Sequence, residues 1–434
     1  MTKTMPPTAA KPIAATAPAA PAPAHETEFY STTEGKWQSL KAKAVGTADE
    51  QKVEQERVAR ANKTLHDHLL SSLQMQHVLV LAGSGTSLGP NIGGPSMWSL
   101  WDHCVNSNPD TGSATRTEKP DATKVINDVG YDKAANKENI EALLSQCGAF
   151  LQYKPAEKHV ADFVKASKET ILKQCSKFID PAKPDQLESH RRFLHKLSRR
   201  RVRDSRLKLF TTNYDLCFEA AAGKQGIVAI DGFSFSQPRY FDPRFFQYDI
   251  IRRTPLSGEI GTPLEGVFQL LKLHGSVNWE RQGDVVAINP EPAPDKACLI
   301  YPAKGKYQQS YIQPHLELVS QYFSSLREPN TCVLTIGFGF NDDHFSEPLL
   351  AAIKTNPHVR LIIVSLYAKG CSDGTDANRT NQYWKTWYQL AQDGADVLIV
   401  DATFDEFAKL IPDLKSLTPA EQLAKSVAAL AGGR

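Results

Sequence analysis

LKLFTTNYDLC, residues Leu207–Cys217, decides the fold. An apolar run rich in β-formers reaches Phe210, the short polar residues Thr211, Thr212 and Asn213 follow, and Tyr214–Ala222 reads as a helix closed by Gly223. A strand, a polar turn and a helix place small polar side chains at the carboxyl end of a buried strand, where open α/β sheets bind ligands. Two further stretches have this form. Val78–Ser87, VLVLAGSGTS, runs from a strand into a glycine-rich loop, and Leu270–Trp279, LLKLHGSVNW, carries His274-Gly275-Ser276 at the end of an apolar run. Cys332–Ile336 is another buried strand that enters a glycine turn, Gly337–His344, and then a helix at Phe345–Ile353. Val359–Leu366 and Ala395–Val400 are continuous apolar runs, with helices at about 378–393 and 404–411. Continuous apolar strands alternating with helices predict an α/β fold: a Rossmann-like parallel sheet with helices on both faces.

The rest of the chain is organised around that sheet. Residues 1–26 are Ala, Pro and Thr with almost no large apolar side chain, a composition that cannot offset ordering entropy and reads as a disordered tail. Residues 27–76 read as N-terminal helices, broken near Gly46-Thr47, with Val53, Val58, Leu65, Leu69 and Leu73 as an apolar stripe. Residues 77–415 read as one ligand-binding α/β domain. About 104–205 interrupts the α/β pattern as a helical insertion, polar and turn-rich to 135 and then helical near 137–150, 156–180 and 185–203. The glycine- and proline-rich loop 88–101 reads as a flap, and the aromatic 233–262 as a loop packed over the pocket. Residues 416–434 read as a C-terminal helix for packing or assembly.

Composition narrows the function. The 434 residues suffice for a large core, and a formal net charge of +2 makes no global case for nucleic acid or membrane. Seven scattered cysteines with no CxxC pair argue against a disulfide framework and a structural zinc site, and fit a reducing cytoplasm. No apolar run is long enough to span a bilayer, and no secretory signal pattern is present. RRRVRDSR, 199–206, is the one basic cluster; without interleaved aromatics it reads as solvated surface and helix-end cations, so direct nucleic-acid binding is not expected.

Three strands that each deliver a polar tip predict one pocket in which Asn213 and His274 face the same ligand. Gly83, Ser84, Gly85, Thr86 and Ser87 let backbone N–H groups approach a pyrophosphate, although GxG after a strand is also what a tight turn gives. The bland readings of Asn213 and His274 are a helix N-cap and a buried, backbone-satisfied histidine. GSGTS lacks the Walker A lysine, and no GxGxxG with a properly spaced acidic residue is present, which disfavours a P-loop ATPase and a conventional Rossmann dehydrogenase.

AGSGTS, TTNYD and LHGS, each at a strand end and in this order, resemble the sirtuin family, and Gly337–His344 (GFGFNDDH) and GPSMWSLW resemble its divergent bacterial branch. The chain lacks the four zinc-binding cysteines of the deacetylating members and carries a larger helical insertion. The resemblance therefore implies a sirtuin-like NAD hydrolase of anti-phage defence, with NAD as substrate, no zinc or other metal, a homo-oligomeric state, and an operon-encoded partner such as a HerA-type ATPase or an Argonaute. A catalytically weak NAD- or ADP-ribose-binding scaffold for an ATPase or nuclease is the second reading, and a zinc-free protein deacylase the third. Carried over, Asn213 would hold the nicotinamide ribose hydroxyls and His274 would be general base. Gly83–Ser87 would cradle the pyrophosphate, Asp215 would steady the nicotinamide side, and Gly337, Phe338 and Asp342 would line the adenosine side.

Overall fold

Leu207–Thr211 is strand β4, with β3 (His77–Ala82) on one side and β8 (Val267–Lys272) on the other, both parallel to it. The computed structural model describes residues 25–43, 46–89, 91–109, 116–253, 261–299 and 313–415; the expected tail over 1–24 and the C-terminal helix over 416–434 lie outside them. The central sheet has nine strands in the order β2-β1-β14-β13-β12-β3-β4-β8-β5. These add β1 (Glu28–Ser31), β2 (Lys36–Ser39), β5 (Val228–Ile230), β12 (Thr331–Ile336), β13 (Val359–Ser365) and β14 (Val397–Asp401). From β14 to β5 every pairing is parallel, and only the β1–β2 edge runs antiparallel.

Alternate residues of these strands feed two cores. Val80, Leu209, Leu270 and Leu334 face one layer of helices: α1 (Ala48–Leu73), α7 (Glu188–Ser198), α8 (Cys217–Gln225) and α13 (Phe404–Leu410). Leu81, Phe210, Leu271 and Val333 face the other: α9 (His315–Ser325), α10 (Asp343–Thr355), α11 (Ala368–Asp373) and α12 (Gln382–Gln392). Burial on both faces is why these strands read as continuous apolar runs rather than alternating ones. A third core, around Leu100, Trp101, Val125, Leu143 and Ile171, holds α2 (Met97–Val105), α3 (Pro120–Asp128), α5 (Ile140–Tyr153) and α6 (Lys158–Lys177) together, while α4 (Lys133–Asn136) has no buried residue and meets this layer through Lys133, over the Trp101 ring. Among the described residues, no helix is long and apolar enough to cross a membrane.

Several elements depart from the sequence expectation. The expected pair of helices over 37–76 is a β-hairpin and one helix. Trp37 lies on β2, where Tyr30 and Tyr388 pack on its ring, and β1 pairs with β14 at the sheet's open edge. Thr47 starts α1 with a reciprocal cap to Glu50. Tertiary pairing overrides local helix propensity here. Helices α3 and α4 occupy a stretch expected to be turns. Gly223 lies inside α8, and Gly226, at φ +69°, ends it. Within the expected insertion, α7 packs Phe193, Leu194 and Leu197 into the sheet's own core. The chain also reverses at Gly275 into a separate antiparallel sheet of β9 (Gly275–Gln282), β10 (Val285–Ile288) and β11 (Ala297–Leu299). A two-residue pair, β6 (Ile251–Arg252) with β7 (Thr262–Pro263), completes the strands. Of the basic cluster, Arg200 donates to Leu73, Met75, Gln76 and Ser205 carbonyls, and Arg201 to Gln74, so both close the C-terminus of α1.

His190 on α7 gives the fold an acid-sensitive point. Its ring sits between Phe218 and Phe404, with centroids 4.9 and 4.8 Å away, and neither nitrogen has a hydrogen-bond partner. Burial lowers its pKa from 6.5 to about 4, against a weaker opposing pull from Asp215. The unfolded chain takes up a proton near pH 6.5 that the folded chain refuses until about pH 4, so stability is full above 6.5 and declines as pH falls through that window. At pH 5 the loss is about 2 kcal/mol. Urea midpoints at about pH 7 and about pH 5 should converge in His190→Leu by this amount relative to wild type; an unchanged difference would show that His190 does not carry it.

Candidate active site

Strand order reverses direction around β3 and β12: the chain leaves β3 toward β4 on one side, and β12 leads to β13 on the other. Loops that follow such neighbours diverge and leave a crevice beyond the carboxyl ends of the strands. A cavity of about 720 Å³ occupies this position, a size suited to a small-molecule ligand.

Its floor is a crossing of two glycine loops. Gly83 N–H donates to the Ile336 carbonyl at 3.0 Å, and Gly85 N–H to the Gly337 carbonyl at 2.9 Å. Gly337 has φ +59°, and a Cβ there would stand 2.6 Å from the Thr86 nitrogen. The backbones approach this closely only because no side chain intervenes. Of the five residues expected to cradle a pyrophosphate, Gly83, Ser84 and Ser87 line the cavity, whereas Gly85 and Thr86 lie behind it. The N–H groups of Gly85, Thr86 and Ser87 are bonded to the carbonyls of Gly337, Gly83 and Ser84. No helix follows directly: Ser84–Thr86 is a single 3-10 turn. Helix N-termini that meet the cavity belong instead to α10, through Asp342, Asp343 and His344, and to α5, through Asn139 and Glu141.

Asn213 extends from the end of β4 and is buried. Its Nδ2 lies 3.1 Å from the Gly83 carbonyl, Thr86 Oγ1 and Ser87 Oγ, which fastens the amide to the glycine loop. It is not the N-cap of α8. Ser87 Oγ donates to Asp215 Oδ2 at 2.8 Å, and Asp215 Oδ1 accepts the Cys217 N–H at 3.0 Å. Buried Lys272 donates to the Tyr214 and Asp215 carbonyls and pairs with Glu219 at 2.9 Å, pinning the same turn from below.

His274 reaches the cavity from the end of β8. Its Nε2 is 3.1 Å from Asp342 Oδ2, while Asp342 Oδ1 caps α10 by accepting the His344 N–H. Burial works to lower the His274 pKa, but the Asp342 hydrogen bond and charge, with help from Glu141, outweigh it and hold the ring above its ordinary 6.5. Burial likewise works to raise Asp342, and the His274 bond and charge hold it below the usual carboxylate range. Asp342, expected on the adenosine side, is placed on the histidine. Gly337 and Phe338 line the cavity as well.

The opposite wall comes from the helical layer through Asn136, Asn139, Glu141, Ser145 and Gln146, and from Pro95, Met97 and Leu100. The sequence did not single out Glu141. A carboxylate in the first turn of a helix looks like ordinary dipole compensation, and nothing local shows that the helix folds back over a cavity. The 88–101 loop is fastened: Gly94 N–H donates to the Ser87 carbonyl at 2.8 Å and Gln186 Nε2 to the Ile92 carbonyl at 2.7 Å. The 233–262 loop does not cover the cavity in its described residues. Phe233 and Phe246 are buried against the second sheet core instead, and Phe233 packs on Trp279. Among the described residues, no group of three or more His, Cys, Asp or Glu gathers as a metal site.

A mostly parallel sheet with glycine turns converging on a crevice at a switch point is the architecture of nucleotide-binding α/β proteins. A family model described as a SIR2-like domain matches residues 208–389, a span that holds Asn213, His274 and Gly337–His344. The match supports a sirtuin-like family, whose domains use NAD, and with it an NAD-related enzymatic or binding function. No curated protein matches the chain.

Proposed function

We propose that this protein is an NAD glycohydrolase, cleaving the nicotinamide N-glycosidic bond to give nicotinamide and ADP-ribose. We further propose that it acts as an NAD-depleting effector of bacterial anti-phage defence, alongside a partner such as a HerA-type ATPase or an Argonaute. The observation that carries the enzymatic reading is the pair His274–Asp342 on the same cavity as the loop-fastened Asn213. With its Nδ2 committed to the glycine loop, Asn213 has its Oδ1 left to accept a ribose hydroxyl. With Nε2 of His274 committed to Asp342, Nδ1 is the atom that takes a proton. As the C1′–N bond breaks, its electron pair passes into the pyridinium ring and nicotinamide leaves neutral. Water adds to C1′ and gives its proton to His274. A ring held above its ordinary pKa by a carboxylate is a stronger base for that step. No Lys or Arg lines the cavity among the described residues, so a dinucleotide would be held by backbone and hydroxyl donors and helix N-termini.

The test is to incubate full-length wild type and Asn213→Ala with NAD and follow nicotinamide, with and without the product of the neighbouring gene. Wild type is expected to release nicotinamide, and Asn213→Ala to do so about 10²-fold more slowly through lost positioning. Binding of NAD by wild type with no release in either setting would replace the hydrolase by a ligand-binding scaffold.

A further inference from the structure

The helical layer contributes a carboxylate that no strand end supplies. Glu141 stands in the first turn of α5, whose N-cap residue Asn139 also lines the cavity. Its Oε1 accepts the Tyr214 hydroxyl at 2.6 Å. Tyr214 lies between Asn213 and Asp215, so this bond joins the helical layer to the turn that carries the site.

Four carboxylates line the cavity: Glu141, Asp215, Asp342 and Asp343. Three are committed elsewhere. Asp215 accepts from Ser87 and Cys217, Asp342 from His274 and His344, and Asp343 from the Tyr383 hydroxyl at 3.1 Å. Glu141 pairs with no Lys or Arg among the described residues, and its Oε2 takes no hydrogen bond from them. Burial, reinforced by Asp342, pushes its carboxyl above the ordinary range, and the His274 charge and the Tyr214 bond only partly offset this. A half-buried carboxylate with no Lys or Arg beside it is costly to keep charged, and a cationic ligand in the cavity would relieve it.

Resting on the hydrolase reading, we infer that Glu141, oriented by Tyr214, is a further catalytic residue: the carboxylate that stabilises the positive charge passing from the nicotinamide ring to ribose C1′. The C1′–N electron pair moves to the ring nitrogen, the charge moves to the C1′–O4′ unit, and water then adds with loss of its proton to His274. Glu141 forms no covalent bond and ends as it began. A fixed negative group in a water-poor site acts most strongly on charge that develops in the transition state.

Glu141→Gln keeps the shape and still accepts the Tyr214 hydroxyl, so its thermal midpoint should match wild type. Its kcat for nicotinamide release is expected to fall by about 10²-fold while KM for NAD rises by no more than about threefold. Tyr214→Phe, which keeps the charge but loosens it, should lose about tenfold in kcat. The second readout needs no turnover. NAD carries a cationic ring and NADH a neutral one, so the preference for NAD over NADH in binding should shrink by about threefold in Glu141→Gln. Wild-type kcat in Glu141→Gln, with His274→Ala inactive, would overturn the assignment and leave the hydrolase standing. If wild type binds NAD without cleaving it, an NAD-to-NADH preference unchanged in Glu141→Gln overturns the assignment. Neither binding nor cleavage of NAD by wild type would remove the hydrolase reading itself.

Discussion

With alanine at position 274, nicotinamide release from NAD is expected to fall by about 10³-fold, within the range for loss of a positioned general base. The loss should appear in kcat, because His274 is committed to Asp342 on one side and, in the proposed reaction, takes the proton of the attacking water on the other. Wild-type kcat/KM should rise with pH through a pKa above 6.5, since the imidazolium cannot accept a proton. Burial lowers that pKa, and the Asp342 hydrogen bond and charge with the Glu141 charge more than reverse it. Asp342→Asn keeps the cap on α10, asparagine being as good an N-cap as aspartate, but no longer favours the charged ring. Its rising limb should therefore move to lower pH, with a lower plateau because the neutral ring is less basic. A limb that stays in place in Asp342→Asn would exclude His274 as the titrating group, whatever the activity of His274→Ala.

What the sequence disclosed of this arrangement follows from how locally each part is encoded. Strand ends such as Phe210-Thr211 and Ile336-Gly337 announce themselves, because a doubly covered strand is a continuous apolar run and the turn after it needs small or polar residues. That placed Asn213, His274 and Gly337 at one edge of the sheet, and the structure puts all three on one cavity. Long-range partners were not legible. Asp342 meets His274 across 68 positions and Tyr214 meets Glu141 across 73, with no spacing rule to join them. The close packing of the glycine loop was hidden for a related reason. GSGTS has the composition of a phosphate cradle, but Gly85 is small because Gly337 crosses it, and its N–H is bonded there. The β1–β2 hairpin was hidden because its pairing partner, β14, lies at the other end of the chain.

Gly275→Ala should unfold or severely weaken the protein, and Gly223→Ala should strengthen it, although both exchange the same residues. Gly275 turns the chain from β8 into β9 at φ +85°, a conformation that costs an L side chain about 1–2 kcal/mol. A Cβ there would stand 2.0 Å from the Cys298 carbonyl oxygen. Since that oxygen belongs to β11, which pairs with β9 at this point, it cannot yield without opening the small sheet. Overpacking of this kind adds about 1–3 kcal/mol, so a total of about 2–5 kcal/mol is expected. His274 immediately precedes the turn, so a surviving fold should also lose most of its nicotinamide release. Gly223 sits inside α8 with nothing within 4 Å of an added Cβ, and alanine there is favoured by about 0.5–1 kcal/mol. Thermal midpoints should therefore move in opposite directions. Equal small shifts for both would mean that the reversal at Gly275 is not the fixed corner on which the position of His274 depends.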